Sequence, residues 1–487
     1  MKRNKFSLSH YKLLTLSMGQ LIPLAWYDVL PGDSIRQSTS ALVRATPLLA
    51  PVMHPVKVRI HHFFIPWRIL WEDFEEFITG GPDGNSTPIF PKVNIDNVAQ
   101  GSLSDYFGVK PQAATTDLLG SALPYRAYNM IFNEHYRDQD LTTPLEISQL
   151  SGLDTTTAQD IQRCSWEKDY FTTCRPWEQK GTAISIPIGD SSAVVTNGLN
   201  PNFNSGALSN LPLESSTSAG LSLDGETSAI EFPTFGSQTG LSADLTTATG
   251  VSINDLRLAL SIQKYQEARA MYGSRYVEYL RHLGVRSSDA RLQNPEYLGG
   301  GRQTIQFSEV VSPVTTTDSQ AGEMAGHGIA AMRTNKFQRY FEEHGMCMSL
   351  MSVVPKSIYN STLHRSFSRE VKEDVFQKEL QHIGEQEVYN KEIQSDHSNP
   401  EGIFGYQARY DEYRSHPSSV SGEFRTIQDH WHYARKFESD VALNETFTKA
   451  TPTKRVNASQ DTDVLYVMAN HSIQARRPIA GQGRPSL

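Results

Sequence analysis

The chain has 487 residues and a formal net charge of −8, with 38% hydrophobic and 20% charged side chains. That balance supports a sizeable core and argues against a surface that binds nucleic acid all round, because phosphate neutralisation needs clustered Lys and Arg. Cys164, Cys174 and Cys347 lack CxxC spacing, which disfavours a disulfide framework or a Cys-rich zinc site, and no run approaches the ~20 apolar residues that span a bilayer.

In chain order, the basic start Met1-Lys2-Arg3-Asn4-Lys5 resembles that of a signal peptide, but Gly19, Gln20 and Pro23 break the apolar stretch that should follow. Val56-Lys57-Val58-Arg59-Ile60 alternates apolar and polar residues and ends in Phe63-Phe64-Ile65-Pro66, a strand with one buried face. Leu70, Trp71, Phe74, Phe77 and Ile78 then fall at helical spacing, and Gly80-Gly81-Pro82 stops the helix.

Between Lys180 and Arg257 there is no Lys or Arg, and residues 190–250 are dominated by Ser, Thr, Gly, Asn and Ala. Such composition marks a large surface excursion, a structured protrusion or a linker. Ser252 to about Leu283 gives the strongest helical signal, through Leu256, Leu260, Gln263, Glu267, Ala270 and Val277, with Gly273 loosening its middle. Beyond Pro295 come β-like segments at Gln303–Val311, Met346–Val354 and Val464–Met468, far apart in sequence and without βαβ alternation. The pattern predicts a mainly β sandwich with large inserted loops.

Catalytic or metal-binding constellations are weak. His61-His62 and His430-Trp431-His432 lack HExxH spacing, and Gly299-Gly300-Gly301-Arg302 lacks a P-loop frame and reads as a turn with positive φ angles. Glu342-Glu343 and the Glu385/Glu387 pair are acids of a kind common on any surface, and no GxSxG elbow is present. No catalytic, cofactor-binding or metal site is expected. The cations near either end, Lys2, Arg3, Lys5, Lys12, Arg476, Arg477 and Arg484, read either as flexible basic tails and candidate DNA contacts or simply as solubilising tails on an otherwise acidic chain.

The order of several blocks resembles the major capsid proteins of the Microviridae, particularly the gokushovirus branch. These are Phe63-Phe64-Ile65-Pro66-Trp67-Arg68-Ile69-Leu70-Trp71, Lys168-Asp169-Tyr170-Phe171-Thr172 with Pro176-Trp177, and Leu256-Arg257-Leu258 through Tyr272-Gly273-Ser274-Arg275-Tyr276. Downstream follow Ser288-Asp289-Ala290-Arg291-Leu292 into Pro295-Glu296-Tyr297-Leu298-Gly299-Gly300, then Glu343-His344-Gly345, Ile383-Gly384-Glu385-Gln386, Phe404-Gly405-Tyr406-Gln407, Tyr410 to Tyr413-Arg414, and Trp431. Cys174, Glu178 and Pro355 to Arg365 depart from the pattern.

The resemblance implies a single jelly-roll capsid domain over 1–487, an eight-stranded antiparallel viral coat β-sandwich with long loop insertions and a few helices, one long near 252–283. It implies a homo-oligomeric T=1 icosahedral shell around circular single-stranded DNA, a virion protein assembled in the bacterial cytoplasm, with no enzyme activity, cofactor or membrane insertion. Residues 181–250 would be a surface insertion, the candidate three-fold protrusion meeting a host cell surface receptor. Further partners would be a small basic internal DNA-binding peptide and the phage's scaffolding and pilot proteins. Trp166, Tyr170, Trp177, Tyr297, Phe404, Tyr406, Tyr410 and Tyr413 are candidate interface anchors, with core packing the alternative for each. Composition alone leaves open a carbohydrate-binding β-sandwich or a secreted polysaccharide hydrolase.

Overall fold

The computed structural model of the chain describes residues 3–113, 118–182, 184, 193–196, 202–205, 208–212, 241–244, 253–273, 275–285, 288–289, 291, 293–311 and 324–481. Two compact units divide it, residues 1–178 with 269–487, and residues 179–268.

In the first unit the strands of the main sheet are β1 (Asn4–Ser7), β2 (His10–Leu16), β3 (Leu21–Val29), β4 (Ser34–Ala45), β5 (Val56–Pro66), β6 (Glu296–Val311), β7 (Met324–Arg333), β8 (Phe337–Tyr340), β9 (Gly345–Pro355) and β10 (Leu465–Arg477). All their ladders are antiparallel, in the order β1-β10-β4-β7-β6-β5-β9-β3, with β2 also on β10 and β8 also on β4. Eight of them form two blocks, β2-β10-β4-β7 and β3-β9-β5-β6. The long β6 joins the blocks: Glu296–Ile305 pairs with β5, and Gln306–Val311 with β7. A curled antiparallel sheet with this strand order is the expected jelly-roll type of fold.

Alternation explains the main core. Val56, Val58 and Ile60 of β5 point inward with Ala41 and Val43 of β4, Met351 and Val353 of β9, and Leu465, Val467 and Ala469 of β10. The opposite face of the β3-β9-β5 block is also covered. Phe63, Ile65, Met346, Met348 and Leu350 pack beneath Trp71, Phe74, Leu123, Tyr128 and Phe132 of the excursion after β5. Every residue of β9 is therefore buried, which is why Met346–Val354 reads as an unbroken apolar run. That cover is fixed by Arg126, whose Nε donates to Asp154 at 2.8 Å while its terminal nitrogens donate to the Leu70 and Leu150 carbonyls. Both side chains of this ion pair are fully buried.

Between the main core and a smaller apolar cluster around Val29, Ile35 and Cys347 lies a polar layer. His62 Nδ1 is 2.8 Å from Ser349 Oγ, and its Nε2 is 3.1 Å from Thr334 Oγ1, which also accepts from the Thr39 amide. Thr39 Oγ1 meets His471 Nδ1 at 2.9 Å, while Gln37 donates to Ser349 Oγ and accepts from Tyr27. Strands from both blocks thus share one hydrogen-bonded layer. The three cysteines are free and buried, and burial raises each thiol pKa.

The helices are shorter than periodicity predicts. After a 3₁₀ turn at Trp67–Ile69, α1 covers only Phe74–Thr79, ended by Gly80 at φ 81°. α2 (Leu123–Ile131) belongs to the covering excursion. The single long helix expected over 252–283 is two, α3 (Ile253–Tyr272) and α4 (Tyr276–His282), because Gly273 takes φ 98°, which ends a right-handed helix. The Gly299-Gly300-Gly301 triplet is not a turn but part of β6, with a bulge at Tyr297/Gly299. A Cβ on Gly300 would lie 2.2 Å from the Ile60 carbonyl oxygen, so the glycines permit close strand contact. His430 sits in a 3₁₀ turn, Asp429–Trp431.

The second unit contains the antiparallel pairs Ala193–Thr196 with Leu241–Asp244 and Asn202–Ser205 with Leu208–Pro212, and most of α3. Most of the expected insertion at 181–250 lies outside the described residues. Among the described residues no helix is long and apolar enough to cross a membrane.

Two predictions follow from this packing. Burial, the largest cause in each case, lowers His54, His61 and His62 to about 4 and His471 to about 3. Their neutral forms are favoured on folding, so this contribution is full above the unfolded value of about 6.5 and is lost as pH falls towards those folded values. Urea midpoints of the full-length protein should therefore drop between about pH 6.5 and pH 4, with each histidine contributing up to about 1.4 kcal/mol per pH unit. His62→Gln should flatten that dependence; an unchanged slope would refute its role. Separately, Arg126→Ala leaves Asp154 buried and uncompensated, and should cost about 3 kcal/mol or more by denaturant titration.

Candidate nucleic-acid interface

The cations near the two ends of the sequence are not free tails where the structure describes them. β1 pairs with the far end of β10, placing Lys5 opposite Arg476 and Asn4 opposite Arg477. Arg3 donates to the Gly32 carbonyl at 3.1 Å and to Ser34 Oγ at 3.2 Å, and its guanidinium lies 5.4 Å from the centre of the Tyr340 ring. Because side chains alternate along strands, Lys5 and Arg476 project from one face while Phe6 and Ala475 turn towards the core side. The β10–β4 register adds Arg36, opposite Gln474, to that face. Arg36 and Tyr340 were not flagged by the sequence; their signal is register, which is absent until β10 is paired.

The other terminal cations are used differently. Lys12 turns inward and donates to the backbone carbonyls of Pro23 and Tyr106, and burial lowers its pKa to about 8. Arg477 forms an ion pair with buried Asp33 at 3.2 Å and donates to the Asp28 carbonyl. Burial raises the Asp33 carboxyl, an effect partly opposed by the Leu30 amide and Arg477. Lys2 and Arg484 lie outside the described residues. The open cluster is thus Arg3, Lys5, Arg36 and Arg476 beside Tyr340.

The aromatic candidates divide by burial. Trp166, Tyr170, Phe404 and Tyr410 are at most 5% exposed. Tyr170 and Phe404 share a satellite core with Phe171, Tyr359 and Phe447, while Trp166 packs with Cys164, Val354 and Ala450. Tyr410 instead donates its hydroxyl to the Glu373 carbonyl. Tyr406 is half-buried, and its backbone exchanges hydrogen bonds with Arg175, bringing the block before Trp177 against the Phe404-Gly405-Tyr406-Gln407 block. That second block pairs in turn with Glu385–Tyr389. Three segments distant in sequence therefore meet in one place. Trp177, Tyr297 and Tyr413 keep exposed faces.

The remaining candidates have structural partners. His61 bonds Tyr136, His62 faces the polar layer, and His432 bonds the Phe424 carbonyl. Glu343 is held by Arg68 at 2.6 Å. Among the described residues no cluster of His, Cys, Asp or Glu has the arrangement to hold a metal ion.

Comparison with known proteins agrees with the strand order. The family model "Capsid protein (F protein)" matches residues 1–487. The chain is 35% identical to the capsid protein VP1 of Bdellovibrio phage phiMH2K, over 93% of this chain and 89% of that protein. It is 32% identical to the capsid protein VP1 of Chlamydia phage 1, covering 100% and 96%, and 30% identical to that of Spiroplasma virus 4, covering 100% and 95%. A jelly-roll strand order in a chain matched from end to end by capsid proteins is that of a structural shell component rather than an enzyme, and the chain belongs to the phage capsid protein (F protein) family.

Proposed function

We propose that the chain self-assembles into a T=1 icosahedral shell enclosing circular single-stranded DNA. The observation that carries this reading is the jelly-roll order in a full-length match to phage capsid proteins. The fold suits the task. Its core is closed by ladders between distant strands, while the excursions after β5, β6 and β9 can be elaborated for neighbour contacts without changing the ladders. Many symmetry-related contacts, each modest, become strong together when a closed shell makes them simultaneously.

Trp177, Tyr297 and Tyr413 are the anchors with exposed surface to offer subunit contacts, since a side chain already buried within its own subunit has little surface left to give. A net charge of −8 supplies little counter-charge for a packaged genome, which supports a small basic internal peptide as partner. Scaffolding and pilot proteins and a host surface receptor complete the expected set, with residues 181–250 as the surface insertion that meets the receptor. Its Ser, Thr, Asn and Gly content suits an adaptable polar recognition surface.

Negative-stain microscopy of the assembled protein should show closed shells of uniform diameter; soluble monomers that bind glycans and never form shells would count against the reading. Deleting residues 195–245 should leave particles that assemble but adsorb poorly to host cells. Normal adsorption of such particles would remove the receptor role from the insertion.

A further inference from the structure

The two blocks of the sandwich differ in what lies on their outer faces. The β3-β9-β5 block is roofed by the chain's own excursion, whereas among the described residues none roofs the outer face of β2-β10-β4-β7, with β1 and β8. The strands of this open face are electrically one-sided. β1 and β2 contain Lys5 and Lys12; β4 contains Arg36 and Arg44; β7 and β8 contain Arg333 and Arg339; β10 contains Arg476 and Arg477. None of the six strands contains an Asp or Glu, in a chain whose acids outnumber its Lys and Arg by 53 to 45.

Register shows how the outward residues line up. Lys5, Arg476, Ser34 and Tyr340 form one row across the face, with Arg3 over the tyrosine. Further along, Tyr11, Asn470, Ser40 and Arg333 form another. Next comes an apolar row of Leu13, Met468, Leu42 and Ala331, then Thr15, Tyr466, Arg44 and Ile329. Leu13 is 78% exposed and Tyr11 68%. Lys336, on the turn between β7 and β8, is exposed; partial desolvation and the neighbouring positive charges of Arg36 and Arg333 depress its pKa. Among the described residues no carboxylate is ion-paired with Arg3, Lys5, Arg36, Arg44, Arg333 or Lys336, whereas Arg339 and Arg477 on the same strands have Glu296 and Asp33.

Uncompensated cations on an exposed sheet face ask for a polyanion, and the interleaved tyrosines and apolar row ask for something with flat apolar surfaces to lay on them. Single-stranded nucleic acid supplies both, with phosphates for the arginines and unpaired bases for stacking. A duplex hides its bases in the stack and uses only the charges. We propose that this open sheet face is a binding platform for single-stranded DNA, in which Arg36, Arg333, Lys336 and their neighbours hold phosphates and Tyr11, Tyr340 and Tyr466 stack bases. The proposal rests on the reading of the chain as a shell around single-stranded DNA and identifies the face that would look inward.

The test uses full-length protein and fluorescence anisotropy with three probes of equal length: an oligothymidylate, an abasic oligodeoxynucleotide and a DNA duplex. Arg36→Gln/Arg333→Gln/Lys336→Gln should lower the log–log salt slope for oligothymidylate by about 2, at about 0.7 for each phosphate contact. Arg36→Lys/Arg333→Lys should keep the slope. Tyr466→Ala should weaken oligothymidylate binding roughly tenfold and leave the abasic and duplex probes unchanged. An unaltered slope and affinity in the triple variant would overturn the platform, and equal loss on all three probes in the tyrosine variant would overturn base stacking. If the triple variant loses shell assembly while its oligothymidylate binding stays intact, the face is a contact between subunits and the proposal fails. Failure of the wild-type protein to form shells is a separate result and counts against the capsid reading, since the oligonucleotide measurements do not require assembly.

Discussion

The ladder between Leu465–Arg477 and Ser34–Ala45 brings together segments more than four hundred positions apart, and the rest of the sandwich depends on it. Its far edge receives β1 and β2, and its inward side chains supply Leu465, Val467 and Ala469 to the core. Loop-closure entropy grows only slowly with the length of the closed segment, so a ladder of this size can hold ends separated by so much chain. The same relation explains how long excursions are tolerated. Once both ends are fixed in the sheet, lengthening the chain between them adds little further entropic penalty.

Sequence reasoning found the strands whose environments are simple. Val56–Ile60 alternates because one face meets the core and the other meets solvent and Glu167, which accepts from Lys57 and Arg59. Met346–Val354 is apolar throughout because both faces are covered. Residues 34–45 gave no such signal. Gln37, Ser38 and Thr39 are buried polar residues in the middle of β4, and Gln37 and Thr39 belong to the polar layer shared with His62, Ser349 and His471. A strand that buries hydrogen-bonding groups looks, in one dimension, like a loop. The Gly299-Gly300-Gly301 triplet misled for the opposite reason, since glycine marks close backbone approach inside a strand as readily as it marks a turn.

The candidate site was legible in part. Charge near both ends was visible, but the pairing of Lys5 with Arg476 is a tertiary fact, and so is the inward turn of Lys12. The aromatic blocks stand in polar stretches of sequence, which suit interface anchors and core packing alike; in the fold, Tyr170 and Phe404 make a core of their own, which a local window cannot reveal. What the sequence did contain, and composition averaged away, is the absence of acids from six strands that become neighbours only after folding.

The position of β10 in chain order also imposes a timetable. It emerges from the ribosome after every other described strand of the sheet, so β1, β2 and β4 wait with an unpaired edge until it arrives. A chain interrupted before Leu465 lacks the inward side chains of that strand and leaves bare edges on β1, β2 and β4. The topology therefore acts as a length check: only a polypeptide translated through residues 465–477 can close its own sheet and enter assembly as a finished part.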